Sequence, residues 1–209
     1  MGIGYYLKGR VNVNGRKGRI RVSFNSPVIL GFMLICVAAQ VANMLTGGAA
    51  NRLLFSVYRS RLTDPLTYVR CVGHIFGHAD WNHLIGNMMY ILILGPMLEE
   101  KYGSADLVFV MLATAIVTGV VIMVFFPNVA LLGASGVVFA FILLSSITAT
   151  DGESIPVTFI LVALIYLGQQ VYEGIFVADN ISQLGHILGG AVGSALGFTM
   201  NRLLVENRR

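Results

Sequence analysis

Charge is what this 209-residue chain has least of: 11% of its residues are Asp, Glu, Lys or Arg, against about 25% in a soluble globular domain. That shortage excludes an ordinary water-soluble fold. With 56% hydrophobic residues and a mean hydropathy of +0.77, the composition is that of a membrane protein. Five prolines and a single tryptophan argue against a disordered, linker-rich chain. The two cysteines, Cys36 and Cys71, fall at different depths, one inside an apolar run and one in the polar segment after it. A disulfide between them is disfavoured, and they carry no compartment signal.

The basic balance, a net charge of +4, could suggest nucleic acid. However, six of the fourteen Lys and Arg precede residue 22, in KGRVNVNGRKGRIR. Basic residues beside a hydrophobic segment fit a cytoplasmic flank facing anionic lipid better, so no nucleic-acid partner is expected. The alternating VNVNGRKGRIRVSF suggests a small surface hairpin around Asn14 to Gly18.

A spanning helix needs roughly 20 mostly apolar residues. Windows of that kind occur at 27–47, 81–98, 107–126, 130–149, 155–172 and 182–201. The third and fourth belong to one charge-free run, Leu107 to Thr150, broken by Pro127 and Asn128 in FFPN, a turn-forming pair. The first run follows a basic region and ends near GGAA, the outline of a secretory signal. Its length and the spans that follow favour an uncleaved first transmembrane helix.

The expectation is an all-α bundle of six transmembrane helices, with residues 1–26 as a short basic segment and 27–205 as the transmembrane domain. Six spans put both termini on one side. That side carries ten basic residues and the other carries Arg52, Arg59, Arg61 and Arg70. The positive-inside rule then makes both termini cytoplasmic in a plasma-membrane protein. Residues 51–80 are too polar to span, and an embedded loop packed against the bundle is expected between the first two helices.

This orientation places Ser135, His186, His83 and Asn87 early in the fourth, sixth and second helices, all in the outer part of the bilayer. Taken singly, each has an ordinary reading: a serine packs or bonds to its own helix, a histidine sits at the interface, an asparagine joins helices. Their convergence at one depth is what favours a functional site. The sixth helix, GHILGGAVGSALG, carries Gly185, Gly189, Gly193 and Gly197 at intervals of four, and the fourth carries Gly136 and Ala140. Pressing those small-residue faces together would bring Ser135 near His186.

A serine hydroxyl needs an adjacent base to become a nucleophile, and a neutral imidazole suits that task. Asn87, His83 and the Ser135 backbone amide could stabilise an oxyanion. Asp179 and Glu173 lie in the outer loop, so a Ser–His dyad is expected rather than a triad.

These residues resemble the rhomboid family of intramembrane serine proteases. The family's Gly-x-Ser-Gly is similar to Gly133-Ala134-Ser135-Gly136, its His-x-x-Gly-Gly to His186-Ile187-Leu188-Gly189-Gly190, and its His-x-x-x-Asn to His83 and Asn87. The resemblance covers about residues 27–200. It implies Ser135 as nucleophile, His186 as general base, and His83 and Asn87 at the oxyanion. His74 and His78 would be structural, and Arg70 resembles the Arg of a Trp-Arg motif with Val69 in place of Trp. Glu99 and Lys101 before Gly103 resemble the family's acidic-x-basic turn. Phe139 stands where a Tyr commonly packs under the histidine, and Leu132 where a second glycine is often found.

The resemblance further implies single-pass transmembrane substrates cut near the outer face, reached sideways past the fifth helix, with residues 173–181 as a cap. No cofactor or metal is implied. A catalytically inactive rhomboid-like protein that binds membrane clients is the alternative. A metal-binding transporter using His74, His78 and His83 is disfavoured, because no acidic or Cys ligand accompanies them.

Overall fold

The computed structural model describes residues 25–148, 154–176 and 180–206. The expected hairpin around Asn14 to Gly18 lies outside them. The architecture is mostly helical: α1 Pro27–Leu45, α2 Pro65–Gly73, α3 Trp81–Tyr102, α4 Ser104–Phe125, α5 Ser135–Ile147, α6 Val157–Phe176 and α7 Asn180–Glu206. Two short strands, β1 Val57–Tyr58 and β2 Ala130–Leu131, pair antiparallel, Val57 opposite Leu131 and Tyr58 opposite Ala130.

Local chemistry explains the boundaries. α1 opens with Pro27, whose fixed φ suits a first helical turn. Its amides at Val28 and Ile29 donate to the Glu99 carboxylate at 3.1 and 3.2 Å, a negative charge at the positive end of a helix. Asp64 and Asp80 cap α2 and α3, accepting from Leu66 N–H at 3.0 Å and His83 N–H at 2.8 Å. Gly103, at φ 88°, ends α3 and allows the chain to re-enter a helix at Ser104.

α1 and α4 are each long and apolar enough to cross a membrane, with window hydropathies of 2.2 and 2.8. The core is a layer of Ile29, Phe32, Leu84, Ile91, Leu107 and Phe141 shared by α1, α3, α4 and α5. Large apolar side chains also cover the outside, among them Leu34, Ile93, Phe109 and Leu164. A surface this apolar needs lipid around it; the molecule is an all-α membrane protein.

The α5–α7 contact is made by backbone. A Cβ on Gly189 would lie 2.7 Å from the Gly136 carbonyl carbon and 2.8 Å from its Cα. One on Gly193 would lie 2.6 Å from Ala140 Cα. The glycine ridge expected of the last helix therefore packs where the sequence pattern put it.

Two expectations need correction. The fourth apolar window does not enter a helix at residue 130: Ala130 and Leu131 are strand, Gly133 sits at φ 130°, and α5 starts only at Ser135. That φ is foreign to an α-helix and costs little only at glycine. The expected cap is also shorter, since 173–176 belong to α6 and 180–181 to α7; residues 177–179 lie outside the described chain.

Candidate active site

Ser135 is the first residue of α5, set there by the Gly133 turn. Gly133 is held from behind by its N–H, which donates to the His74 carbonyl at 2.9 Å. His74 is fully buried, with Nδ1 3.0 Å from the Cys71 carbonyl and Nε2 3.1 Å from the Thr118 hydroxyl. Burial pushes its pKa down to about 4, so it is a neutral ring that donates through Nδ1 and accepts through Nε2. Both nitrogens serve this brace, which ties the segment before α3 to α4 and to the serine turn.

Arg70 supports the same segment. Its guanidinium meets Asp64 at 2.8 Å, Ser60 Oγ at 3.0 Å, and the face of Tyr58 at 4.7 Å. The arginine holds the Asp64 carboxyl below its usual range. Strand β1, which contains Tyr58, then pairs with β2, two residues before Gly133. None of this pairing was predicted from sequence, although each partner lies in a segment the sequence had singled out.

His83 approaches the serine turn from α3. A Cβ on Gly133 would come within 2.9 Å of His83 Cε1 and 3.0 Å of Nε2, so a side chain here would push the imidazole aside. The Ala79 N–H points at His83 Nδ1 over a long 3.5 Å. With Nδ1 accepting, the ring proton lies on Nε2, the nitrogen that faces the turn. His78 packs edge-on against this ring, centroids 5.1 Å apart.

Asn87 follows one turn later on the same face of α3. It is 7% exposed, and its side-chain Nδ2 is buried with no hydrogen-bond acceptor. A buried amide donor left open is costly, about 1–3 kcal/mol, and needs a reason.

His186 lies on α7, three residues before the Gly189–Gly136 contact. Its imidazole packs on Phe139 with centroids 4.3 Å apart and planes tilted by 43°. The aromatic platform under the histidine is therefore kept by phenylalanine. Gly190, next to Gly189 in α7, is also buried.

Ser135, His186, His83 and Asn87 all line one cavity of about 580 Å³, bounded by α3, α5, α6 and α7. Leu132 and Phe139 contribute apolar wall, and Tyr90, Val162 and Ile165 extend it outward. These last three were not anticipated. Nothing marks them in the sequence, since they become wall residues only once α3 and α6 flank the same cavity. Such a chamber offers a hydroxyl, two imidazoles, an open amide donor and apolar walls, the parts needed to attack and stabilise a carbonyl.

A family model described as the Rhomboid domain matches residues 65–203. Among similar curated proteins, rhomboid-related protein 2 of Mus musculus is 28% identical over 159 residues, 66% of this chain and 53% of that protein. Rhomboid-like protein 11, chloroplastic, of Arabidopsis thaliana is 32% identical over 118 residues, 55% of this chain and 41% of that protein. Rhomboid protease GlpG of Yersinia pestis (strain Pestoides F) is 24% identical over 176 residues, 82% of this chain and 62% of that protein. The chain spans about half the length of these relatives, between 41% and 62%.

Proposed function

The chain belongs to the rhomboid family, and on that premise we propose that it is an intramembrane serine endopeptidase acting through Ser135 and His186. The observation that carries this reading is the shared cavity, which both residues line together with Asn87, whose amide has no acceptor.

His186 takes the Ser135 proton as the hydroxyl attacks the substrate carbonyl, then delivers it to the leaving amine. The tetrahedral oxyanion is met by Asn87 Nδ2–H, His83 Nε2–H and the amide of Ser135. That amide is free of intrahelical bonding because it opens α5, where the helix dipole also favours negative charge. Water then hydrolyses the acyl-enzyme with His186 as base. Gly133, Gly136, Gly189 and Gly190 allow the close approach, and Phe139 supports the base.

In the membrane, α1, α3, α4, α5, α6 and α7 form six spans over residues 27–205, with α2 and its flanking turns embedded as a loop. Residues 1–26 are a basic cytoplasmic segment, and both termini face the cytoplasm of a plasma membrane. The 13 residues of α5 rise only about 20 Å, short of a hydrocarbon core of about 30 Å. A serine at the outer end of so short a helix lies below the membrane surface, where the end of a single-pass transmembrane substrate could reach it. An inactive client-binding relative is the weaker reading, because hydroxyl and imidazole both line the cavity.

A fluorophosphonate probe tests the nucleophile. Wild-type protein should be labelled at Ser135, with labelling lost in Ser135→Ala and strongly reduced in His186→Ala. Equal labelling of Ser135→Ala would refute the assignment.

A further inference from the structure

Away from the active site, a second open cavity of about 690 Å³ runs between α2 and α4. Its walls are Cys71 and Val72 on one side and Ile116, Val120 and Val124 on the other. The three α4 residues are exposed apolar side chains. From Ile116 to Val124 the groove is about 12 Å long, at 1.5 Å per residue. That is close to one leaflet of a hydrocarbon core about 30 Å thick, and too short to seat a spanning helix along its length.

Arg59 lines the mouth. Its guanidinium is fixed in place by the carbonyls that end α4, Nε donating to Met123 at 2.9 Å and Nη2 donating to Val124. No carboxylate meets it: the ion pair found among the described residues is Arg70–Asp64. Arg61, two residues on, is also exposed. A cation without a counter-ion, anchored at the open end of a leaflet-deep apolar groove, is complementary to a molecule with one anionic head and an acyl tail.

We propose that this groove binds one anionic phospholipid, with an acyl chain along α4 and the phosphate against Arg59. The site goes beyond the proteolytic reading and needs only that the protein sits in a membrane. It places a lipid against Cys71 and Val72, just before the His74 turn that holds Gly133, so occupancy would stiffen that turn.

The test is native mass spectrometry of the full chain in detergent, titrated with dioleoyl phosphatidylglycerol or dioleoyl phosphatidylcholine. Phosphatidylglycerol should be retained preferentially. Arg59→Gln and Arg61→Gln should each weaken retention about fivefold, the effect of one basic residue at a lipid surface. Arg61→Gln leaves the α4 carbonyl contacts intact and guards against simple unfolding. Val120→Trp, which fills the groove, should abolish retention of the lipid. Equal retention of phosphatidylcholine, retention unchanged in Val120→Trp, or a dimer of the chain that Val120→Trp dissociates would each overturn the proposal.

Discussion

The two ends of α3 carry polar side chains inside an apolar protein, and they are treated in opposite ways. At the C-terminal end Glu99 is 4% exposed, and its carboxylate accepts from Val28 N–H, Ile29 N–H and Ser104 Oγ–H, the last at 2.7 Å. At the N-terminal end Asn87 is buried with a donor that meets nothing, beside a histidine pressed against a glycine turn. A saturated buried group holds helices together. An open one beside a cavity costs stability and is retained for a ligand or a reaction.

That contrast can be broken by mutation. Asn87→Ala should lower kcat by about 10²–10³-fold, the loss of one oxyanion donor, while leaving the melting temperature unchanged or slightly raised. Glu99→Ala should do the reverse. It strands the amides that open α1 and should cost about 1.5–3 kcal/mol of stability, read by denaturant titration, with kcat of the folded fraction preserved. If the two variants affected rate and stability alike, the distinction between the ends would fail.

Gly189→Ala lies between these extremes. Its methyl meets the Gly136 backbone, forcing α5 and α7 apart at an overpacking cost of about 1–3 kcal/mol. Because the same contact sets the distance from Ser135 to His186, stability and kcat should fall together. A variant that loses stability alone would separate the ridge from the dyad.

The last comparison concerns pH. His74 in the loop has its pKa depressed by burial to about 4 from an ordinary 6.5, so the folded state prefers the neutral ring. Its contribution to stability is complete above pH 6.5 and is lost as pH falls toward 4. His78, also pushed down to about 4, titrates in the same window. Melting temperature should therefore fall between pH 6.5 and 4, and His74→Gln should make that slope shallower without abolishing it.

Much of this was legible in the sequence because depth is written in hydropathy. A helix occupies each of the six apolar windows, although α5 is short and starts late, and the four-residue glycine spacing predicts how α7 meets α5. The start of α5 lies later than its window predicts, since hydropathy does not report φ and Ala130 and Leu131 are as apolar in a strand as in a helix. Gly133 was recognised for its company but not for its conformation. The braces behind the serine, His74 to Gly133 and β1 to β2, join residues far apart in the chain, and no local pattern announces them. Asn87's open donor was likewise invisible, because satisfaction is a property of neighbours.

The central claim is that Ser135 and His186 cut peptide bonds within the membrane. It is tested most directly by reconstituting the full chain in liposomes with a single-pass transmembrane substrate and following cleavage by wild type, Ser135→Ala and His186→Ala, with and without a chelator. The Ser135–His186 assignment requires cleavage by wild type, insensitive to chelator, and none above background from either variant. Cleavage that survives Ser135→Ala, or that only the chelator abolishes, would contradict it.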